Sequence, residues 1–148
     1  MYKNILVAID DSETSKSALA EALNIAKSSN AKLYITHVAD ETLLSMHSRT
    51  LSTTMNLDHA IAAIAEAGRK LLDEAMKSAS GVNAEPVLLE ALNRRVSETI
   101  ADKAKELNID LIVIGRHGRR GLATLILGSV AEQLAKIANA SVLLVRKH

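Results

Sequence analysis

The chain reads as an α/β protein built on one parallel, doubly wound sheet with helices on both faces, and two observations carry that reading. The runs ILVAI (5–9), KLYITHV (32–38), EPVLLE (85–90), DLIVIG (110–115) and SVLLV (141–145) are short and rich in leucine or β-branched residues, which makes them strands. Most are continuous instead of alternating, as strands buried on both faces are. Helical periods lie between the runs, and such alternation is the mark of crossover connections. At 148 residues the length fits one domain spanning 1–148, able to bury ~70% of the surface its unfolded chain would expose.

Each helix follows from its apolar spacing. Leu19, Ala22, Leu23 and Ala26 recur at i, i+3, i+4 and i+7. A longer helix carries Ile61, Ile64, Ala65, Gly68, Leu72, Ala75 and Met76 on one side. Val96, Ile100, Ala104 and Leu107 mark a third helix, and Val130, Leu134, Ile137 and Ala138 a fourth. Between the second strand and the long helix, residues 40–57 show neither a clean period nor strong turn signals, which suits either a binding loop or a solvated crossover.

Composition removes several function classes. Without cysteine there are no disulfides and no thiolate metal sites. A formal net charge of +1 provides no broad field for nucleic acid or anionic lipid, and aromatic residues for stacking single strands are nearly missing. No run approaches the ~20 apolar residues of a membrane-spanning helix. The opening MYKNILVAIDDSE turns acidic after a short apolar run, unlike a secretory leader, so the expected location is cytoplasmic.

The remaining signal is local. Four of the six glycines fall within GRHGRRGLATLILGS (115–129), together with Arg116, His117, Arg119 and Arg120. Gly115 and Gly118 suit a sharp turn or a backbone that approaches a ligand without a Cβ in the way. Gly128 and Ser129 precede the last helix, whose free N–H groups and dipole favour an anion. They also suit an ordinary loop residue and an N-cap. In open parallel sheets ligands sit beyond the carboxyl ends of the strands where the winding reverses, here the exits AIDDSE and VIGRHGRRG of the first and fourth strands. Asp10 has two readings: a ligand contact, or a cap, since Glu13 three residues on completes capping-box spacing. His37 is expected to be packed or hydrogen-bonded. A Gly-Lys pair, G-x-G-x-x-G after the first strand, G-x-S-x-G and H-E-x-x-H are all missing, so P-loop, dinucleotide, hydrolase and zinc-protease readings lose support.

GRHGRRGLATLILGS matches the G-x2-G-x9-G-[ST] nucleotide motif of the universal stress protein family, with Gly115, Gly118, Gly128 and Ser129 in register. The chain also resembles that family at MYKNILVAIDDSETSKSAL, at YITHVAD and at ANASVLLVRKH, so the likeness runs from end to end. The resemblance implies a strand order of 3-2-1-4-5 and ATP held with Mg2+ between the first and fourth strands. It implies cofactor contacts at Ala8, Ile9, Asp10, Val38, Ile114, Gly115, Gly118, Gly128, Ser129 and Val130. Asp10 would serve ribose or the metal, and Val38 the adenine through its backbone. The proline common two residues before that aspartate is Ala8 here, which bears on the shape of the adenine side. A regulatory, stress-responsive ATP-binding protein is implied, with no dedicated enzymatic activity; slow ATP hydrolysis or autophosphorylation at the same site and a nucleotide-free interaction role are the alternatives. The resemblance further implies a homodimer through residues 141–145, where proline at Leu143 or Leu144 is expected to remove an edge donor.

Overall fold

A computed structural model describes residues 1–40, 54–91, 93–116 and 129–147. Five strands, β1 (Asn4–Ala8), β2 (Lys32–Asp40), β3 (Ala84–Ala91), β4 (Leu111–Gly115) and β5 (Ser141–Val145), form one sheet in the order β3-β2-β1-β4-β5. Every pairing is parallel. The helices among the described residues are α1 (Glu13–Ser29), α2 (Thr54–Lys77), α3 (Val96–Glu106) and α4 (Ser129–Ile137).

The continuous apolar runs do what both-face burial requires. In β1, Ile5 and Val7 face one core with Leu33 and Ile35 of β2, while Leu6 faces the other with Ile112 of β4. Ala18, Ala22 and Ala26 of α1, with Leu72 and Ala75 of α2, cover the first face. Ile100 and Ala104 of α3, with Ala131 and Leu134 of α4, cover the second. Ala18, Ala22 and Ala26 of α1 are almost wholly buried, so this helix lies close against the sheet. Its C-terminus is closed by Asn30 at φ 52°, the left-handed conformation that asparagine tolerates, with its N–H donated to Ala26 O.

The start of the central strand is clamped to its neighbour. Asp110, just before β4, accepts the Lys3 N–H at 2.8 Å and the Asn4 N–H at 3.2 Å. At one sheet edge, the Leu33 N–H to Asn83 O bond sets the phase of the β2–β3 ladder. In that phase the N–H groups of β3 that face β2 belong to odd-numbered residues, so the nitrogen of Pro86 lies on the outer side.

Boundaries differ from expectation by a residue or two. β1 runs 4–8 instead of 5–9, although the Ile9 N–H still reaches Thr36 O at 2.8 Å. β2 continues two residues past Val38 and α2 begins at Thr54, which shortens the irregular stretch; its residues 41–53 lie outside the described ones. Leu107 is the C-cap of α3 and not part of the helix, because the chain turns there toward Asn108 at φ 54°. Ile137, expected on the buried stripe of the last helix, is 46% exposed, since α4 ends at that residue.

Candidate functional site

The winding reverses between β1 and β4, because β2 and β3 lie to one side of β1 and β4 and β5 to the other. At that point Ala8 is paired with Ile114, so the two strand exits are adjacent. Of the residues expected to contact a ligand, Ala8, Ile9, Asp10, Val38, Ile114, Gly115 and Val130 are described in full. Ser129 is placed by its backbone as the first residue of α4. Gly118 and Gly128 lie outside the described residues, as do His117, Arg119, Arg120 and Gly121.

The buried members can offer only main chain. Ile9 belongs to the α1/α2 core and Ile114 to the α3/α4 core, each only 8% exposed. Ala8, Val38 and Val130 pack half-buried against the α3/α4 core. Asp10 is the half-buried polar side chain at the end of β1.

Asp10 is not the helix cap. α1 starts at Glu13, so the N-cap is Ser12, whose hydroxyl accepts the Ser15 N–H at 3.3 Å. Asp10 stands two residues earlier. Its Oδ1 accepts the Ser12 N–H at 2.8 Å, an Asx turn, and its own N–H donates to Ser15 Oγ at 2.7 Å. The capping-box spacing misleads because the turn that brings the chain out of β1 takes two residues before the helix begins. A carboxylate has about four lone-pair positions, so the turn is compatible with a further contact to a metal or a ribose hydroxyl.

Gly115 has a role that spacing did not show. A Cβ there would stand 3.1 Å from Thr14 Cβ and 3.2 Å from both Thr14 C and Thr14 O. The space freed by the missing side chain is thus taken by the first turn of α1 and not by open solvent. Thr14 and Ser15 are correspondingly buried. This contact draws the β1 exit, the α1 N-terminus and the β4 exit into one place. The chain then leaves β4 through Arg116, whose N–H is held by Val145 O at 2.8 Å.

His37, expected to be packed or hydrogen-bonded, flanks the strand exits and is both. Its Nδ1 donates to Ile9 O at 2.8 Å. The signal that could have found it is Gly68, the one glycine within a helical stripe, whose missing side chain leaves room for the ring. Among the described residues no group of three or more acidic, histidine or cysteine side chains is placed to hold a metal. Magnesium, however, is usually bound through one or two carboxylates together with phosphates and water, and the Asp10 carboxylate fits that habit.

The profile of the universal stress protein family matches residues 1–146. The chain belongs to that family. Universal stress protein YxiE of Bacillus subtilis is 34% identical over 151 residues, covering 99% of this chain and 100% of the relative. A universal stress protein family member from Burkholderia pseudomallei, of known crystal structure, superposes with a TM-score of 0.75 at 32% identity, over 97% of this chain and 95% of that one. A universal stress protein crystallised in complex with cAMP is 26% identical with a TM-score of 0.66, covering 99% and 98% of the two chains. Among the described residues, no helix of this universal stress protein is long and apolar enough to cross a membrane.

Proposed function

We propose that the protein binds ATP with Mg2+ at the β1–β4 switch point and acts as a nucleotide-dependent regulatory protein in the stress response. The observation that carries this reading is the adjacency of the Asp10 turn, the α1 N-terminus and the Gly115 exit at the reversal of the winding. The family member in complex with cAMP supports an adenine nucleotide as the ligand class. The motif supports the phosphate end, through Gly118, Gly128 and Ser129 at the start of α4. Asp10 would hold the metal or the ribose, and the metal would neutralise phosphate charge there. Recovering the native protein, identifying any co-purified nucleotide and titrating ATP with and without magnesium by calorimetry tests the reading. No heat and no bound nucleotide would end it.

Asp10→Asn separates the metal role from the turn. The amide oxygen still accepts the Ser12 N–H, so fold and melting temperature should hardly change. ATP affinity is expected to fall in the presence of magnesium and to change much less in EDTA. Equal losses under both conditions would remove the metal from Asp10.

The same proposal includes a homodimer through β5. Ser141 N–H to Asp110 O and Arg116 N–H to Val145 O fix the phase of the β4–β5 ladder. Ser141, Leu143 and Val145 therefore turn their main chain toward β4, and Val142 and Leu144 turn theirs to the open edge. Leu144 is 44% exposed and Ile137 lies exposed in the same terminal helix–strand unit, a combination that suits an isologous contact. The expectation for proline is accordingly narrowed. Leu144→Pro removes an outward donor and should shift the protein to monomer in light scattering with the fold retained. Leu143→Pro breaks the internal ladder and should unfold it. A parent that is monomeric at micromolar concentration would defeat the dimer.

A further inference from the structure

We infer that His37 is a positioning residue which parts β1 from β2 and sets the main chain of Val38 aside for the base of the nucleotide. The inference rests on the adenine-nucleotide reading above for its ligand and on the strand geometry for its mechanism.

The last rung between the two strands is Ala8 with Thr36, closed by the Ile9 N–H to Thr36 O bond. In the phase of this ladder the next rung would bring the Val38 N–H to Ile9 O. The ladder stops before that rung. Ile9 O instead accepts Nδ1–H of His37 at 2.8 Å. Because a carbonyl only accepts, the Nδ1 nitrogen carries the proton, and in the neutral ring Nε2 is left as the acceptor. His37 shares a sheet face with Leu33 and Ile35, the face covered by α1 and α2, and its ring lies against α2. There a Cβ at Gly68 would stand 2.9 Å from His37 Cδ2 and 2.9 Å from Leu88 Cδ1. The ring is therefore seated in a slot that α2 leaves open at one residue.

The consequence falls on Val38. Residues 34, 36 and 38 of β2 direct N–H and C=O toward β1, and at 38 the partner strand has already turned away. An N–H and a C=O side by side on one extended residue match the adjacent ring nitrogen and exocyclic amine of adenine. That agrees with the family resemblance, which puts adenine at Val38 and ribose or metal at Asp10.

Three proteins and two ligands test the inference. His37→Leu removes the donor, whereas His37→Asn can put an N–H where Nδ1 stands. Calorimetry with ATP and with inorganic tripolyphosphate should show His37→Leu weakening ATP by about tenfold, the scale of one hydrogen bond's loss, with tripolyphosphate unchanged. His37→Asn should recover most of the ATP affinity. Equal losses for both ligands, or no loss for ATP, would overturn it. Nitrogen NMR of histidine-labelled parent should show the His37 ring proton on Nδ1. Hydrogen exchange at the Ile9 amide should quicken in His37→Leu and return in His37→Asn. A ring protonated on Nε2 would overturn the positioning role whether or not the parent binds ATP. A parent that binds neither ligand would instead sink the nucleotide reading and leave the NMR and exchange results to decide on His37.

Discussion

Gly118→Val is expected to lower ATP affinity by roughly a hundredfold or more, the largest loss of any single change in the phosphate loop. In the motif this glycine lets the backbone approach the phosphates. A β-branched side chain would occupy that approach and would resist any positive φ the loop demands. Residue 118 lies outside the described residues, so the expectation rests on the motif register with Gly115, Gly128 and Ser129. Ser129→Ala is the milder companion: one hydrogen bond to a charged group contributes ~1.5–3 kcal/mol, a ten- to hundredfold loss. Both variants should keep the parent's melting temperature, because neither residue is argued to hold the core. Calorimetry in which the two variants bind ATP like the parent would place the phosphates elsewhere.

Gly115→Val should act in the opposite order, on the fold first and on the ligand second. Its Cβ would meet the backbone of Thr14 at 3.2 Å, and backbone in the first turn of a helix cannot swing aside as a side-chain tip can. Overpacking of this kind costs about 1–3 kcal/mol, which for a chain of this size corresponds to a fall in melting temperature of roughly 3–10 °C. Relief requires α1 to lift from β4, and that movement carries the Asp10–Ser15 hydrogen bond with it. Nucleotide affinity should therefore fall together with stability, while Gly115→Ala should show a smaller loss of both. A Gly115→Val protein as stable as the parent but unable to bind ATP would show that the Cβ position faces the ligand after all.

These two glycines illustrate what the amino-acid order could and could not reveal. The two-faced core was legible, because continuous apolar runs such as LIVI at 111–114 have few other ways to be buried, whereas the strand order came only from the family resemblance. The adjacency of the first and fourth strand exits was legible too, since it is where the winding reverses. Individual roles were less so. Gly115 stood in a glycine cluster and looked like a ligand approach, yet its close neighbour is Thr14, just over a hundred residues earlier. Asp10 and Glu13 had capping spacing, but the helix start was shifted by a turn knit from Asp10, Ser12 and Ser15. His37 was expected to be packed or hydrogen-bonded, but its partner, Ile9 O, is a backbone atom with no sequence signature. In each case the missing information was a contact between distant segments, which local pattern does not encode.

Pro86 sets a limit on growth. A parallel sheet ordinarily ends in two rows of unpaired peptide groups, and either row can recruit a further strand without end. Here the row along β3 is interrupted near its start by the chain's sole proline, while the row along β5 is uninterrupted. Should two copies join through β5 about a twofold axis, the ten-stranded sheet so formed would present β3 at both of its margins, each carrying the same missing hydrogen. Such an assembly would meet a further strand only at margins weakened by the proline gap, which disfavours growth beyond two copies.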